Sequence, residues 1–106
     1  MSKQVNQRDA EHYISNRQEF TASALSGVNV NLSGLNGAWG RLNPEEFARL
    51  KADETRIEYA VYSYGTPIAW HTSQGWYIVS QKFSQTTSKH QNAVRRAVSS
   101  ELVGAN

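Results

Sequence analysis

The chain has 106 residues and 11.9 kDa, with no cysteine, a formal net charge of +2 and 39% hydrophobic against 19% charged residues. That length makes one domain, 1–106, with a modest core, and the missing thiols exclude disulfide frameworks, thiolate metal sites and thiol nucleophiles. The N-terminal MSKQVNQRDAEHY has no apolar signal core, and no run approaches the ~20 apolar residues of a membrane span, so a cytoplasmic protein without membrane contact is expected.

Residues 8–19 place Ala10, Tyr13, Ile14 and Arg17 at i, i+3, i+4 and i+7, helical spacing with a thin apolar stripe. Residues 1–19 therefore read as a marginal helix or a loose arm. Residues 20–25 alternate weakly, as a short strand would. Between 26 and 40, four glycines and three asparagines supply turns while Val28, Val30, Leu32 and Leu35 are sparse, which predicts a loop-rich segment. Asn43, Pro44 and Glu46 then mark a helix start as cap, first position and dipole partner, and the spacing predicts a helix over 44–53 that buries Phe47 and Leu50.

The stretch RIEYAVYSYGTPIAWHTSQGWYIV reads as three strands. A two-residue turn at Tyr64-Gly65 sets Val61 against Ile68 and Tyr59 against Trp70, and a three-residue loop at Ser73-Gln74-Gly75 sets Trp70 against Ile78. In that register Ile57, Tyr59, Val61, Ile68, Trp70, Trp76 and Ile78 share a core face. The other face carries Glu58, Ala60, Tyr62, Pro67, Ala69, His71, Tyr77, Val79 and Phe83, an amphipathic mixture. Ser88 as cap and Gln91 three residues on predict a last helix over 89–102, whose arc of His90, Ala93, Val94, Ala97, Val98 and Leu102 covers the core face. The fold class is α+β: an antiparallel meander of three strands, or four, packed against a C-terminal helix, with one or two short N-terminal helices and its core in 56–103.

The stretches YSYGTPIAW and S-x-TTS-x-H, the latter at Ser84, Thr86, Thr87, Ser88 and His90, resemble a family of small domains of unknown function from actinobacteriophages and their actinobacterial hosts. The resemblance covers about the last forty residues and implies a phage or prophage origin. It brings no activity, cofactor or catalytic residue.

The basic excess is C-terminal: residues 62–106 hold Lys82, Lys89, Arg95 and Arg96 against Glu101 alone. Four cations fall short of a strong nucleic-acid footprint. His12, His71 and His90 are too widely spaced for a local metal motif, so no metal or other cofactor is expected. His71 opposite Glu58 suggests a cross-strand pair, and His90 in the apolar arc suggests a buried, hydrogen-bonded imidazole. The candidate binding residues are Tyr62, Tyr64, His71, Tyr77, Lys82, Lys89, Arg95 and Arg96, with no catalytic residue among them. A host or phage protein is the expected partner of a small accessory protein that acts by binding. Nucleic acid, read by the sheet aromatics and C-terminal cations, is the alternative, an enzyme of unknown class carried only by Glu58 and His71 comes third, and a homodimer closing over the second sheet face is a further option.

Overall fold

The computed structural model describes residues 3–22, 24–30, 42–81 and 83–98. In chain order they form β1 (Lys3–Gln4), α1 (Gln7–Ser15), β2 (Phe20–Ala22), β3 (Leu25–Asn29), α2 (Pro44–Asp53), a 3-10 turn (Glu54–Arg56), β4 (Tyr59–Ser63), β5 (Thr66–Thr72), β6 (Gly75–Ile78) and α3 (Gln85–Ala97). The sheet follows sequence order, with β2 to β6 antiparallel and β1 added as a two-residue parallel edge. The α+β class stands, with more strands than the three or four expected. The additional strand in the expected loop-rich segment is β3, which pairs with the whole of β4 from Leu25↔Ser63 to Asn29↔Tyr59. Gly27 is required there by close approach: a Cβ at this position would lie 2.0 Å from the Tyr59 hydroxyl oxygen and 2.5 Å from Phe20.

Both faces of the sheet are covered. On face one, α1 and α3 pack side by side over Phe20, Ala22, Leu25, Tyr59, Val61, Ile68, Ala69 and Trp76, contributing Ala10, Ile14, Val94 and Val98. On face two, Leu50 of α2 joins Ile57, Ala60, Tyr62, Trp70 and Val79. The expected α2 bounds, with Asn43 as cap, match the structure, and the Asn43 side chain accepts from the Glu46 N–H at 2.9 Å. Leu50 is buried as expected, whereas Phe47 is only half-buried.

The expected register fails on the middle strand. The Tyr64-Gly65 turn forms, with Ser63 opposite Thr66, but a bulge between Val61 and Tyr62 sets Tyr62 against Pro67 and Val61 against Ala69, leaving Ile68 as the extra residue. Pro67 has no N–H to give a regular ladder, and a bulge accommodates it. At the second turn Thr72 pairs with Gly75, so the loop is the two residues Ser73-Gln74, and Trp70 lies opposite Ala60 and Tyr77. Trp70 therefore belongs to face two, along with Ile57, while Ala69 joins Tyr59 and Trp76 on face one.

The last helix starts one turn before its expected cap. Ser84, not Ser88, accepts from the Thr87 N–H at 3.3 Å. Gln91 is not a capping side chain either: its buried amide donates to the Val79 and Gln81 carbonyls at 2.8 and 3.1 Å, tying α3 to the chain that leaves β6. The expected helix end near 102 lies outside the described residues.

Candidate functional site

The two stretches that carried the family resemblance meet at one end of the sheet. Tyr64-Gly65 has φ values of 53° and 79°, the doubly left-handed backbone of the turn that suits β-hairpin twist and favours Asn or Gly at its first position. A tyrosine there bears a backbone cost on the order of 1 kcal/mol. Its N–H donates to the Ala24 carbonyl at 2.9 Å, joining this tip to that of the β2–β3 hairpin. Its side chain is 57% exposed, the one large hydrophobic exposed among the described residues.

One side of the Tyr64 ring leans on His90, with centroids 6.3 Å apart and planes at 32°. His90 is buried, and burial pushes its pKa below the ordinary value. Its Nδ1 lies 2.7 Å from Ser63 Oγ, which in turn donates to Thr87 Oγ1 at 3.2 Å. A serine beside a histidine has the pattern of an activated nucleophile. Here Ser63 has no exposure, so the trio braces β4 against α3.

Beyond His90 opens a surface cavity of about 330 Å³, walled by Glu11 of α1 and by Lys89, Asn92 and Arg96 of α3, with the buried Leu25, His90 and Ala93 at its base. Glu11 Oε2 accepts from Arg96 Nε and Nη2 at 3.3 and 2.9 Å. Arg95 donates to Asn92 Oδ1 at 3.0 Å. Lys89 is exposed and makes no ion pair among the described residues.

Two other clusters hold polar side chains. Under α2, Glu46 accepts from the Tyr77 hydroxyl and from Ser80 N and Oγ at 3.2 and 3.0 Å. The Arg49 guanidinium lies 4.2 Å from the Tyr77 ring centroid. Burial, reinforced by the bond to Glu46, pushes the Tyr77 phenol up to about 12. About two turns beyond Glu46, Asp53 Oδ2 accepts from Trp70 Nε1 and Arg49 Nε, both at 2.9 Å, and Oδ1 from Arg56 at 3.1 Å. Burial alone would raise the Asp53 pKa, but the Trp70 and Arg49 hydrogen bonds and the two guanidinium charges outweigh it and hold it below the usual value. At the far end of β5, His71 Nδ1 pairs with Glu58 Oε1 at 3.0 Å, and a second cavity of about 300 Å³ lies between Glu58, Tyr59, Asn29 and the end of α1.

The candidate residues therefore divide. Tyr64, Lys89 and Arg96 surround His90 and its cavity, with Arg95 on the flank of the same helix. Tyr62 is buried in the face-two core and offers nothing to a partner, and Tyr77 is half-buried and committed to Glu46. His71 stands apart beside Glu58, and Lys82 lies outside the described residues. Glu11 and Ser63 were not singled out from the sequence. Ser63 had a usable signal, its place just before a two-residue turn beside a buried-histidine helix, whereas nothing local marks Glu11. No group of three or more His, Asp or Glu side chains suited to a metal occurs among the described residues, and none of their helices is long and apolar enough to cross a membrane.

A family model described as a family of unknown function (DUF8033) matches residues 8–101. The chain belongs to that family. The match runs from α1 past α3, so it takes in the N-terminal helix and hairpin as well as the last forty residues to which the resemblance had been confined. Comparisons with curated proteins and with solved structures each find no match.

Proposed function

We propose that the protein acts by binding another protein, which docks on Tyr64 and the adjoining face of α3. The observation that carries this reading is the conformation of Tyr64: a large aromatic held exposed in a backbone region where asparagine or glycine is easier. Strain of this kind is retained where a side chain has work to do outside the fold. Tyrosine and arginine are also the residues that most often anchor protein interfaces, and Arg96 lines the adjoining cavity. In this reading the protein is a small phage or prophage accessory factor that works in the host cytoplasm.

A Tyr64→Asn variant tests it. Relief of the turn should raise stability by roughly 1 kcal/mol in urea denaturation. The same variant should lose a protein that the parent chain captures from nuclease-treated host lysate. A variant less stable than the parent would make Tyr64 a structural residue and remove the basis of the reading.

One observation favours nucleic acid as a second reading. α3 carries no carboxylate, and Gln85, Lys89, Asn92 and Arg96 fall at i, i+4, i+7 and i+11 on its exposed side. The base-stacking half of that idea loses its support, because Tyr62 is buried and Tyr77 and Phe83 are half-buried.

A further inference from the structure

We infer that the cavity between α1 and α3 receives one carboxylate side chain of an acidic peptide segment, with Lys89 as its counter-ion. The inference rests on the reading of Tyr64 as a protein-binding residue and names the chemistry of the partner. Charge accounting comes first. Of the charged groups lining the cavity, Arg96 is engaged by Glu11 through two hydrogen bonds to one oxygen, and His90 is kept neutral by burial. Lys89 is left uncompensated among the described residues, so those of them that line the cavity carry a single net positive charge.

The lining then selects the form of the anion. Leu25 and Ala93 make part of the cavity apolar, which suits the methylenes of a glutamate better than a free inorganic ion. Asn92 accepts from Arg95 through Oδ1, so its amide NH₂ is the group it offers, a donor that a carboxylate can use. About 330 Å³ is at the low end for a ligand pocket and fits a side chain. His90 links the cavity to Tyr64, so an apolar residue next to the glutamate has the exposed ring to pack on. A nucleic-acid backbone would bring phosphates towards Glu11 and meet, among the described residues, one free cation at the cavity, which is poor complementarity for a polyanion.

The test uses the full chain, ¹⁵N-labelled, titrated with a capped peptide of sequence Ala-Glu-Phe-Glu-Ala, with its counterpart in which both glutamates are glutamine, and with a short DNA duplex. Amide shifts should centre on Lys89, His90 and Ala93, and the acidic peptide should bind about tenfold more tightly than the glutamine peptide. Lys89→Gln, a change at an exposed position, should abolish that preference. Tyr64→Asn should weaken both. Equal, Tyr64-dependent affinity for the two peptides would overturn the carboxylate inference and leave the protein-binding reading standing. Binding of the duplex alone, steeply dependent on salt, would overturn both. No shift with either peptide at about millimolar concentration would overturn the inference, and the reading would then stand or fall on the lysate experiment.

Discussion

On face one, two helices meet the sheet through Ile14, Phe20, Leu25, Val94 and Val98, whereas on face two the short α2 brings two carboxylates, Glu46 and Asp53, into the same layer as Leu50. The contrast follows from the supply of apolar residues. A ten-residue helix whose large apolar side chains are Phe47 and Leu50 cannot be located by burial alone, because hydrocarbon contacts are non-directional. Glu46 and Asp53, seven residues apart and so on one side of the helix, reach Tyr77 and Trp70 on the sheet and Ser80 just after β6. Hydrogen bonds fix the position of α2 where packing would leave it free to slide.

The largest effect expected from breaking this arrangement is at Trp70, buried at the centre of face two. Trp70→Ala should cost about 3–5 kcal/mol, which approaches the whole stability of a domain this size, because it opens a cavity and removes one of Asp53's donors. A midpoint shift in urea corresponding to less than about 1 kcal/mol would mean that the indole is not the keystone of that face. Face one is sensitive at Gly27. Gly27→Ala should cost about 1–3 kcal/mol through overpacking against Tyr59 and Phe20, and adding Tyr59→Phe should recover part of the loss by removing the closest atom.

Acid separates the two faces by a different route. His90, on the helix that packs face one, is held neutral when folded, so the unfolded chain takes up a proton near 6.5 that the folded chain resists. Stability from this source is present above 6.5 and lost as pH falls from there towards the depressed folded value. Asp53 is held ionised when folded, and its contribution is present above 3.8 and lost as pH falls below that value. Urea midpoints measured from neutral pH downwards should fall in two limbs. His90→Gln should flatten the upper limb and Asp53→Asn the lower; a single limb unaffected by His90→Gln would show that the imidazole is not held neutral.

How much of this was legible depended on whether a residue's role is written in its neighbours. α2 was readable because Asn43, Pro44 and Glu46 are a local start signal, and the faces of β4 and β6 followed from their alternation. The alternation of β5 is ambiguous because apolar residues fall at both parities, Ile68 and Trp70 against Pro67 and Ala69, so a bulge decides the register. The last helix was misplaced by one turn because Ser84 and Ser88 are equivalent as caps, and the choice is made by Ser63, far away in sequence, bonding Thr87. Of the candidate site, Tyr64 and the cations of α3 were visible as residues. Their meeting around His90 was not, since it needs two hairpin tips and two helices to converge.

The finest comparison between the faces uses one residue type on each. Trp70 and Trp76 stand on adjacent strands and point to opposite faces; both are buried, yet Trp70 Nε1 donates to Asp53 at 2.9 Å while Trp76 Nε1 finds no acceptor among the described residues. Replacing either by phenylalanine removes similar volume. At Trp70 the change also takes a donor from a buried carboxylate, whereas at Trp76 it removes a polar group that is buried without a partner. The ring contacts of Trp76 with Tyr59 and His71, at 5.9 and 5.3 Å between centroids, can be kept in part by a phenyl ring. Trp70→Phe should therefore be the more destabilising of the two by about 1–2 kcal/mol. In an Asp53→Asn background the penalty at Trp70 should shrink towards that at Trp76, because the indole then donates to a neutral acceptor. Equal costs for the two single changes, measured at one pH in urea, would show that the charged anchor on face two contributes no more than the hydrocarbon packing on face one.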